Sequence, residues 1–402
     1  MDKLTDKKQI NGIINLFMFI YLISYITRIN YGAIIVEMEK STGFSKSVLS
    51  LALTGSSVAY GTGQIISGIC GDRFQPKALV SFGVLVASLM NIIIPFCPSP
   101  YLMTLVWCVN GFAQSFLWPP LVKLSTTLLS ADDYKVASVK ISWGSSFGTI
   151  VVYLLAPLII TVAGWKVVFW FSAFCALAML IVWNKKCPNI PVYKAEETVG
   201  EKKSIAVLFT PMMLFVMLVI VLQGALRDGV TTWMPSYISE TYNLGSKISI
   251  LTGVVLPVFS IFCYKIVQKL YQSKLKNPIT CAGTVFGVGA IASVVLIFVT
   301  GQNAVMSVVF SALLAGSMHG VNLILICMLP PFFEKYGNVS TVSGVLNACT
   351  YVGSAVSTYG IASISENMGW NTTILLWCAV AVLGTAVCFA VVPAWRKFEK
   401  NN

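Results

Sequence analysis

Two arginines carry the clearest chemistry in this sequence. Arg28 and Arg227 each sit inside a long apolar stretch, 199 residues apart in a chain of 402. A cation at the centre of a bilayer span costs at least about 2.5–3.5 kcal/mol on insertion scales, so such a residue faces a cavity and a partner. The chain is sparing with arginine: of 27 Lys+Arg, only Arg28, Arg73, Arg227 and Arg396 are arginine. A guanidinium presents a planar fork of N–H donors that grips phosphate or carboxylate at two points, which an ammonium cannot do. The half-chain spacing predicts that both arginines serve one anion. The plainer alternative is that each pairs with a helix carbonyl or a neighbouring acid.

Other ionisable groups are scarce. Of the fifteen Asp+Glu, only Asp228 falls clearly within an apolar run, and His319 is the single histidine. A proton-coupled carrier needs a buried carboxylate or histidine relay, so these two are the candidates for coupling. Asp228 follows Arg227 and points about 100° away around a helix. A salt bridge to a neighbouring helix and a coupling role are both open to it. His319, among Gly316, Ser317 and Gly320, suits either a helix-packing hydrogen bond or a cavity ligand. The eleven cysteines form no CxxC pair and show no metal-ligand spacing. No nucleophile–base constellation appears, so neither an enzyme, a metal site nor a cofactor is expected.

These residues must be positioned by membrane helices. The chain is 56% hydrophobic and 10% charged, against about 25% charged residues in a soluble domain. Apolar runs at roughly 11–36, 49–70, 77–97, 101–123, 136–163, 166–184, 210–238, 247–268, 278–299, 304–329, 339–363 and 371–393 predict twelve spans. Lys3, Lys7 and Lys8 precede the first run with no cleavage site at signal-peptide distance, so an uncleaved first span is expected. The net charge of +12 would suggest nucleic acid in a soluble protein, but here it follows topology. With both termini placed in the cytoplasm, 21 Lys+Arg fall on the inner side, and four (Lys40, Lys46, Lys166, Lys247) on the outer. That excess fixes the expected orientation.

The chain also reads as a duplication. Trp118-Pro119-Pro120 is expected to close the fourth helix and Leu329-Pro330-Pro331 the tenth. Gly164-Trp165 precedes the sixth helix and Gly369-Trp370 the twelfth, and Gly148 and Gly353 share the same offset of 205. The expected organisation is all-α: an N-terminal six-helix bundle (1–184), a cytoplasmic linker (185–209) and a C-terminal six-helix bundle (210–402), pseudo-symmetric, with substrate bound between halves near the midplane.

Between the second and third helices stands Gly68-Ile69-Cys70-Gly71-Asp72-Arg73-Phe74-Gln75-Pro76-Lys77. A tight turn carrying an acid and bases can latch helix ends in one conformation and release them in another, so Gly68, Asp72, Arg73 and Lys77 are candidates for that latch. An ordinary positively charged loop is the bland alternative. The pattern closely resembles the loop signature of the major facilitator superfamily, and with twelve spans and duplicated halves the resemblance covers the whole chain.

A finer resemblance rests on three stretches. Trp107-Cys108-Val109-Asn110-Gly111-Phe112-Ala113-Gln114-Ser115-Phe116-Leu117-Trp118-Pro119-Pro120-Leu121-Val122-Lys123 looks like helix 4 of the organophosphate:phosphate antiporters, the group of the glycerol-3-phosphate and hexose-phosphate transporters. Tyr21, Tyr25, Arg28 and Asn30 are similar to its helix 1 pattern, and Arg227-Asp228-Gly229-Val230-Thr231-Thr232-Trp233-Met234-Pro235-Ser236-Tyr237 to its helix 7. The resemblance implies that Arg28 and Arg227 bind a phosphoryl group. Tyr60, Trp118, Trp143 and Tyr351 match aromatic cavity positions, with aromatic packing as the alternative. The chain departs from the glycerol-3-phosphate pattern at Gln64, which stands where a lysine is usual and is expected to bind substrate in its place, at Ser145-Ser146-Phe147, where a histidine is missing, and at Ile29, which replaces a base. The pocket is therefore less positive. A larger phosphorylated sugar, or a monoanionic carboxylate or phosphonate, fits it better than a small doubly charged ester.

The implied function is exchange of an organic anion, most readily an organophosphate, against inorganic phosphate by alternating access. The expected setting is a bacterial cytoplasmic membrane, with the protein monomeric. Two rivals are a membrane sensor of external sugar phosphate and a proton- or sodium-coupled organic-acid symporter.

Overall fold

In the computed structural model, residues 3–44, 46–190, 208–243, 246–336 and 339–400 are described. Most of the expected linker, with Lys194, Lys202 and Lys203, lies outside them. Helices alone make up the regular structure of the described residues. The first half contains α1 (Lys7–Ala33), α2 (Ile35–Thr42), α3 (Lys46–Arg73), α4 (Pro76–Ile93), α5 (Pro100–Gln114), α6 (Trp118–Leu128), α7 (Ala131–Ala163) and α8 (Trp165–Lys186). The second contains α9 (Pro211–Tyr242), α10 (Ser246–Ser273), α11 (Pro278–Val299), α12 (Ala304–Asn322) and α13 (Val339–Lys400), which kinks at Gly369. Eight helical stretches among the described residues are long and apolar enough to cross a membrane, and each of the twelve apolar runs falls on helix.

The starts are written into the sequence. Ser99, Thr210 and Asn277 each accept a backbone N–H of the first turn, and each is followed by a proline. Proline suits the first helical position because its missing N–H has no helical partner there. Ser130 accepts from the Asp133 backbone N–H at 3.1 Å and donates to its carboxylate at 2.6 Å, a reciprocal cap.

Prolines set two further boundaries, and the first run ends short of its expected limit. Trp118-Pro119-Pro120 opens α6 rather than closing a helix, and the run expected over 101–123 breaks after Gln114. Leu329-Pro330-Pro331 ends a π-helical turn, Leu323–Met328, and begins a 3-10 helix, Pro330–Tyr336. The first run stops at Ala33, and a short helix follows.

Two compact units emerge. One joins Met1–Glu201 to Phe333–Ala348, so the beginning of α13 packs within it; the other joins Lys202–Phe332 to Cys349–Asn402. In the first, α1 lies against α7 and α8, and α3 against α5. In the second, α12 contacts α9, α10 and α11. The repeat is visible inside each unit. Gly148 of α7 meets the backbone of Leu22 in α1, and Gly353 of α13 meets the backbone of Val221 and Ala225 in α9. Only a residue without a Cβ allows two helices to touch this closely in both copies. Gly164 and Gly369 share a backbone too, with φ near +80° (+80° and +79°) immediately before Trp165 and Trp370.

Candidate functional site

In the first unit, α1 and α3 hold a cation against aromatic faces. The Arg28 guanidinium carbon stands 4.3 Å from the ring centre of Tyr25 and 4.7 Å from that of Tyr60. Such contacts contribute about 0.5–2 kcal/mol each, more where water is excluded. Tyr21 continues the cluster, 5.3 Å from Tyr25 and 5.4 Å from Trp118 between ring centres. Tyr60 and Trp118 are buried, while Arg28, Tyr21 and Tyr25 keep partial exposure. The indole N–H of Trp118 has no hydrogen-bond partner among the described residues. Trp143, on α7, is half-buried in the same unit.

The turn of α1 bearing Arg28 is fixed by amides from α4 and α5 and by a hydroxyl from α8. The Thr27 carbonyl accepts from Asn91 of α4 at 3.0 Å and from Asn110 of α5 at 3.3 Å. Gln114 donates to the Thr27 hydroxyl at 2.7 Å. Asn30 donates to Asn91 at 2.7 Å and to Ser172 of α8 at 3.0 Å. Each such bond adds about 1 kcal/mol, and stranding a buried member costs more. Apart from Asn30, Asn110 and Gln114, which appear in the resembling stretches, nothing at sequence level marks these groups. They lie far apart in the chain and are polar residues scattered in apolar runs.

Gln64 does other work. Fully buried, it donates to the Ser115 carbonyl at 3.2 Å and accepts from Asn347 at 3.0 Å. Its amide thus joins α3 to α5 and to the start of α13.

The loop signature separates into a helix-capping acid and its surroundings. Asp72 accepts the backbone N–H groups of Ser340 and Thr341 at 3.1 and 2.7 Å, where α13 begins. A carboxylate there satisfies orphan donors and complements the positive end of the helix dipole. A Cβ on Gly68 would stand 2.8 Å from the Ser340 carbonyl oxygen, so the glycine is required by this contact. The ion-pair partner of Asp72 is Lys123 of α6, at 3.4 Å. Arg73 is exposed, and Lys77 instead donates to the Asn184 carbonyl at the end of α8, at 2.9 Å. Lys123 is the member sequence reasoning missed.

In the second unit, Arg227 turns onto its own neighbour. Its Nε donates to Asp228 Oδ1 at 2.6 Å and a terminal nitrogen to Oδ2 at 2.9 Å. This pair lies within one helix, whereas a salt bridge from Asp228 to a neighbouring helix was one expectation. Ser354 of α13 donates to the same carboxylate. His319 Nδ1 is hydrogen-bonded to the Tyr264 hydroxyl of α10 at 3.0 Å, and its ring lies within electrostatic reach of Arg227 and Asp228. Tyr351, one turn before Ser354, is half-buried in this unit. The π-helical turn begins four residues after His319, a distortion common near functional sites.

Each unit thus sets one arginine where an anion could compete for it, Arg28 among π-faces and Arg227 against a carboxylate. No group of His, Cys, Asp and Glu among the described residues could hold a metal ion.

Comparison with known proteins bears on family and fold. Residues 17–358 match the Major Facilitator Superfamily. The chain is 20% identical over 415 residues to a probable hexose phosphate transport protein of Chlamydia muridarum, covering 95% of this chain and 90% of that protein. It is 27% identical over 269 residues to the glycerol-3-phosphate transporter of Bacillus subtilis, 60% of each chain. A solved structure of the proton:xylose symporter XylE bound to 6-bromo-6-deoxy-D-glucose superposes with a TM-score of 0.77 at 12% identity, covering 96% of both chains. At that identity the likeness concerns the fold.

Proposed function

Because the chain belongs to the Major Facilitator Superfamily, a family of multi-pass membrane transporters rather than enzymes, we propose that it carries an organophosphate anion, of the sugar phosphate or glycerol phosphate type, in exchange for inorganic phosphate by alternating access. Arg28 and Arg227 are the ligands of the anion's phosphoryl group. Tyr21, Tyr25, Tyr60 and Trp118 hold Arg28 and shape its surroundings, with Trp143 and Tyr351 as further lining residues and Asp228 and His319 beside Arg227. Gln64 belongs to the packing around the site.

The observation that carries this reading is Arg28 stacked between Tyr25 and Tyr60, 4.3 and 4.7 Å from their ring centres. Rings hold the guanidinium without neutralising its charge, and a guanidinium edge matches the paired oxygens of a phosphoryl group. The hexose phosphate and glycerol-3-phosphate relatives support the phosphate class. The less positive surroundings at Gln64 and Ile29 favour a phosphorylated sugar. The charge map supports both termini inside, the bacterial relatives support a bacterial cytoplasmic membrane, and the protein acts as a monomer.

Counterflow tests the proposal. Proteoliposomes loaded with inorganic phosphate should take up labelled glucose 6-phosphate, and empty ones should not. Binding without counterflow would make the protein a sensor. Uptake indifferent to internal phosphate but abolished by a protonophore would make it a proton-coupled organic-acid symporter.

A further inference from the structure

Arg227 and Asp228 are consecutive on α9, and the guanidinium holds the carboxylate through two N–H groups at 2.6 and 2.9 Å. That is the two-pronged geometry an incoming phosphoryl group would itself adopt. An anion arriving at Arg227 finds one edge of the fork filled by a resident carboxylate. If Asp228 stayed ionised after being displaced, two anions would share one guanidinium in a poorly screened site, which strongly favours protonation of one of them. Among the described residues, the other charged and titratable groups facing it are few. His319 stands on α12, with the Tyr264 hydroxyl of α10 on its ring. From α13 comes the Ser354 hydroxyl, which has no charge.

Ser354 makes the site ready for both forms of Asp228. Its hydroxyl donates to the carboxylate, and the Thr350 carbonyl lies within hydrogen-bond distance of the same oxygen at 3.1 Å. When Asp228 carries a proton it can donate to Ser354 Oγ, while the Ser354 proton turns to the Thr350 carbonyl. Neither state leaves a donor or acceptor stranded.

We infer that Asp228 is a proton-binding site linked to the anion site: each anion that engages Arg227 displaces Asp228, which takes one proton from a solvent hydronium ion and leaves water. The new bond is O–H on an Asp228 carboxylate oxygen, and hydronium is the donor. The guanidinium stays protonated and exchanges one anionic partner for another. This rests on the reading that Arg227 binds the transported anion. In exchange, phosphate and organophosphate each use the same fork, so a proton accompanies either one.

The test is equilibrium binding of glucose 6-phosphate and of inorganic phosphate to the purified full chain between about pH 7.5 and 9, where phosphate groups are past their second ionisation near pH 6 and hold constant charge. Wild-type Kd should rise about tenfold per pH unit, the signature of one proton taken up with each anion. Asp228→Asn should bind more tightly than wild type at the alkaline end, with a flat profile. Calorimetry of the unmodified protein at pH 8, in buffers of different ionisation enthalpy, should give one proton per anion and needs no variant to fold. His319→Gln should keep the slope, whatever it does to affinity. Measurable wild-type binding with a flat profile and no proton uptake overturns the inference, as does a slope kept in Asp228→Asn, which would place the proton on the ligand or on another residue. If neither ligand binds the wild-type protein, the organophosphate reading fails, and this inference fails with it.

Discussion

Lys123 Nζ lies 3.4 Å from Asp72 Oδ1 while the same carboxylate caps the first turn of α13. One acid therefore joins three helices at a single point: it closes α3, pairs with the middle of α6 and caps the start of α13. Its bonds are charge-assisted and largely shielded, with only 8% of the side chain exposed.

Asp72→Asn keeps an acceptor but loses the charge, and should weaken this junction by about 1–2 kcal/mol, a factor of about five to thirty in an equilibrium. Turnover in proteoliposomes should change markedly while Kd for glucose 6-phosphate stays within about twofold. Lys123→Met should shift turnover in the same direction by less. A fall in equilibrium binding as deep as that of a pocket variant would refute the latch assignment.

The ring faces around Arg28 make a graded prediction. Tyr60→Phe preserves the face and should hold affinity within about threefold. Tyr60→Leu removes it and should cost about 0.5–2 kcal/mol. If the two variants bind equally well, the stacked cation does not matter to the anion.

Arg28→Lys and Arg227→Lys retain charge and remove the planar fork. Each should weaken binding about ten- to a hundredfold, the loss of one charge-assisted bond. The double variant should be less than additive, since a ligand freed from one fork has lost its alignment with the other. Normal affinity in well-folded single variants would remove both arginines from the site.

Labelling checks the orientation. Gln302→Cys should react with an impermeant maleimide on intact cells, and Lys276→Cys only after permeabilisation; both positions are exposed. Background from the native thiols should be low, because none of the eleven cysteines is exposed. Burial pushes the Cys187 thiol up to about 12, so almost none is thiolate near pH 8 and its reaction should stay slow. The reversed pattern at Gln302 and Lys276 would invert the topology.

The helices were legible because apolar runs and Ser, Thr or Asn before proline are local signals. The repeat was legible at glycines, since Gly148 and Gly353 answer the same steric demand in each half. Side-chain partners were not. Consecutive residues point about 100° apart on a helix, yet the length of the Arg227 side chain lets it bend across that angle to Asp228. Lys123 reads as one more cytoplasmic cation because nothing local ties it to Asp72. Gln64 sits where a related carrier places a lysine, but its carbonyl and amino groups are taken by Asn347 and Ser115. Trp118-Pro119-Pro120 reads as a stop until the turn before it is seen to end α5 first.

Gly164 is the whole connection between α7 and α8, and Gly369 stands alone between the two arms of α13. Consecutive Cα atoms are about 3.8 Å apart, so the joined ends have no slack with which to slide. Two rods sharing a single pair of torsions form a compass: they can spread at their free ends but cannot move along one another. The joint also sets rotational phase. Inserting one alanine after Gly164, within the helical register of α8, would turn the rest of that helix by about 100°. Phe169, Ala173 and Ala176, now buried, would swing toward lipid together. In each half, the last helix therefore tolerates substitution along its lipid face far better than any change in its length at the glycine.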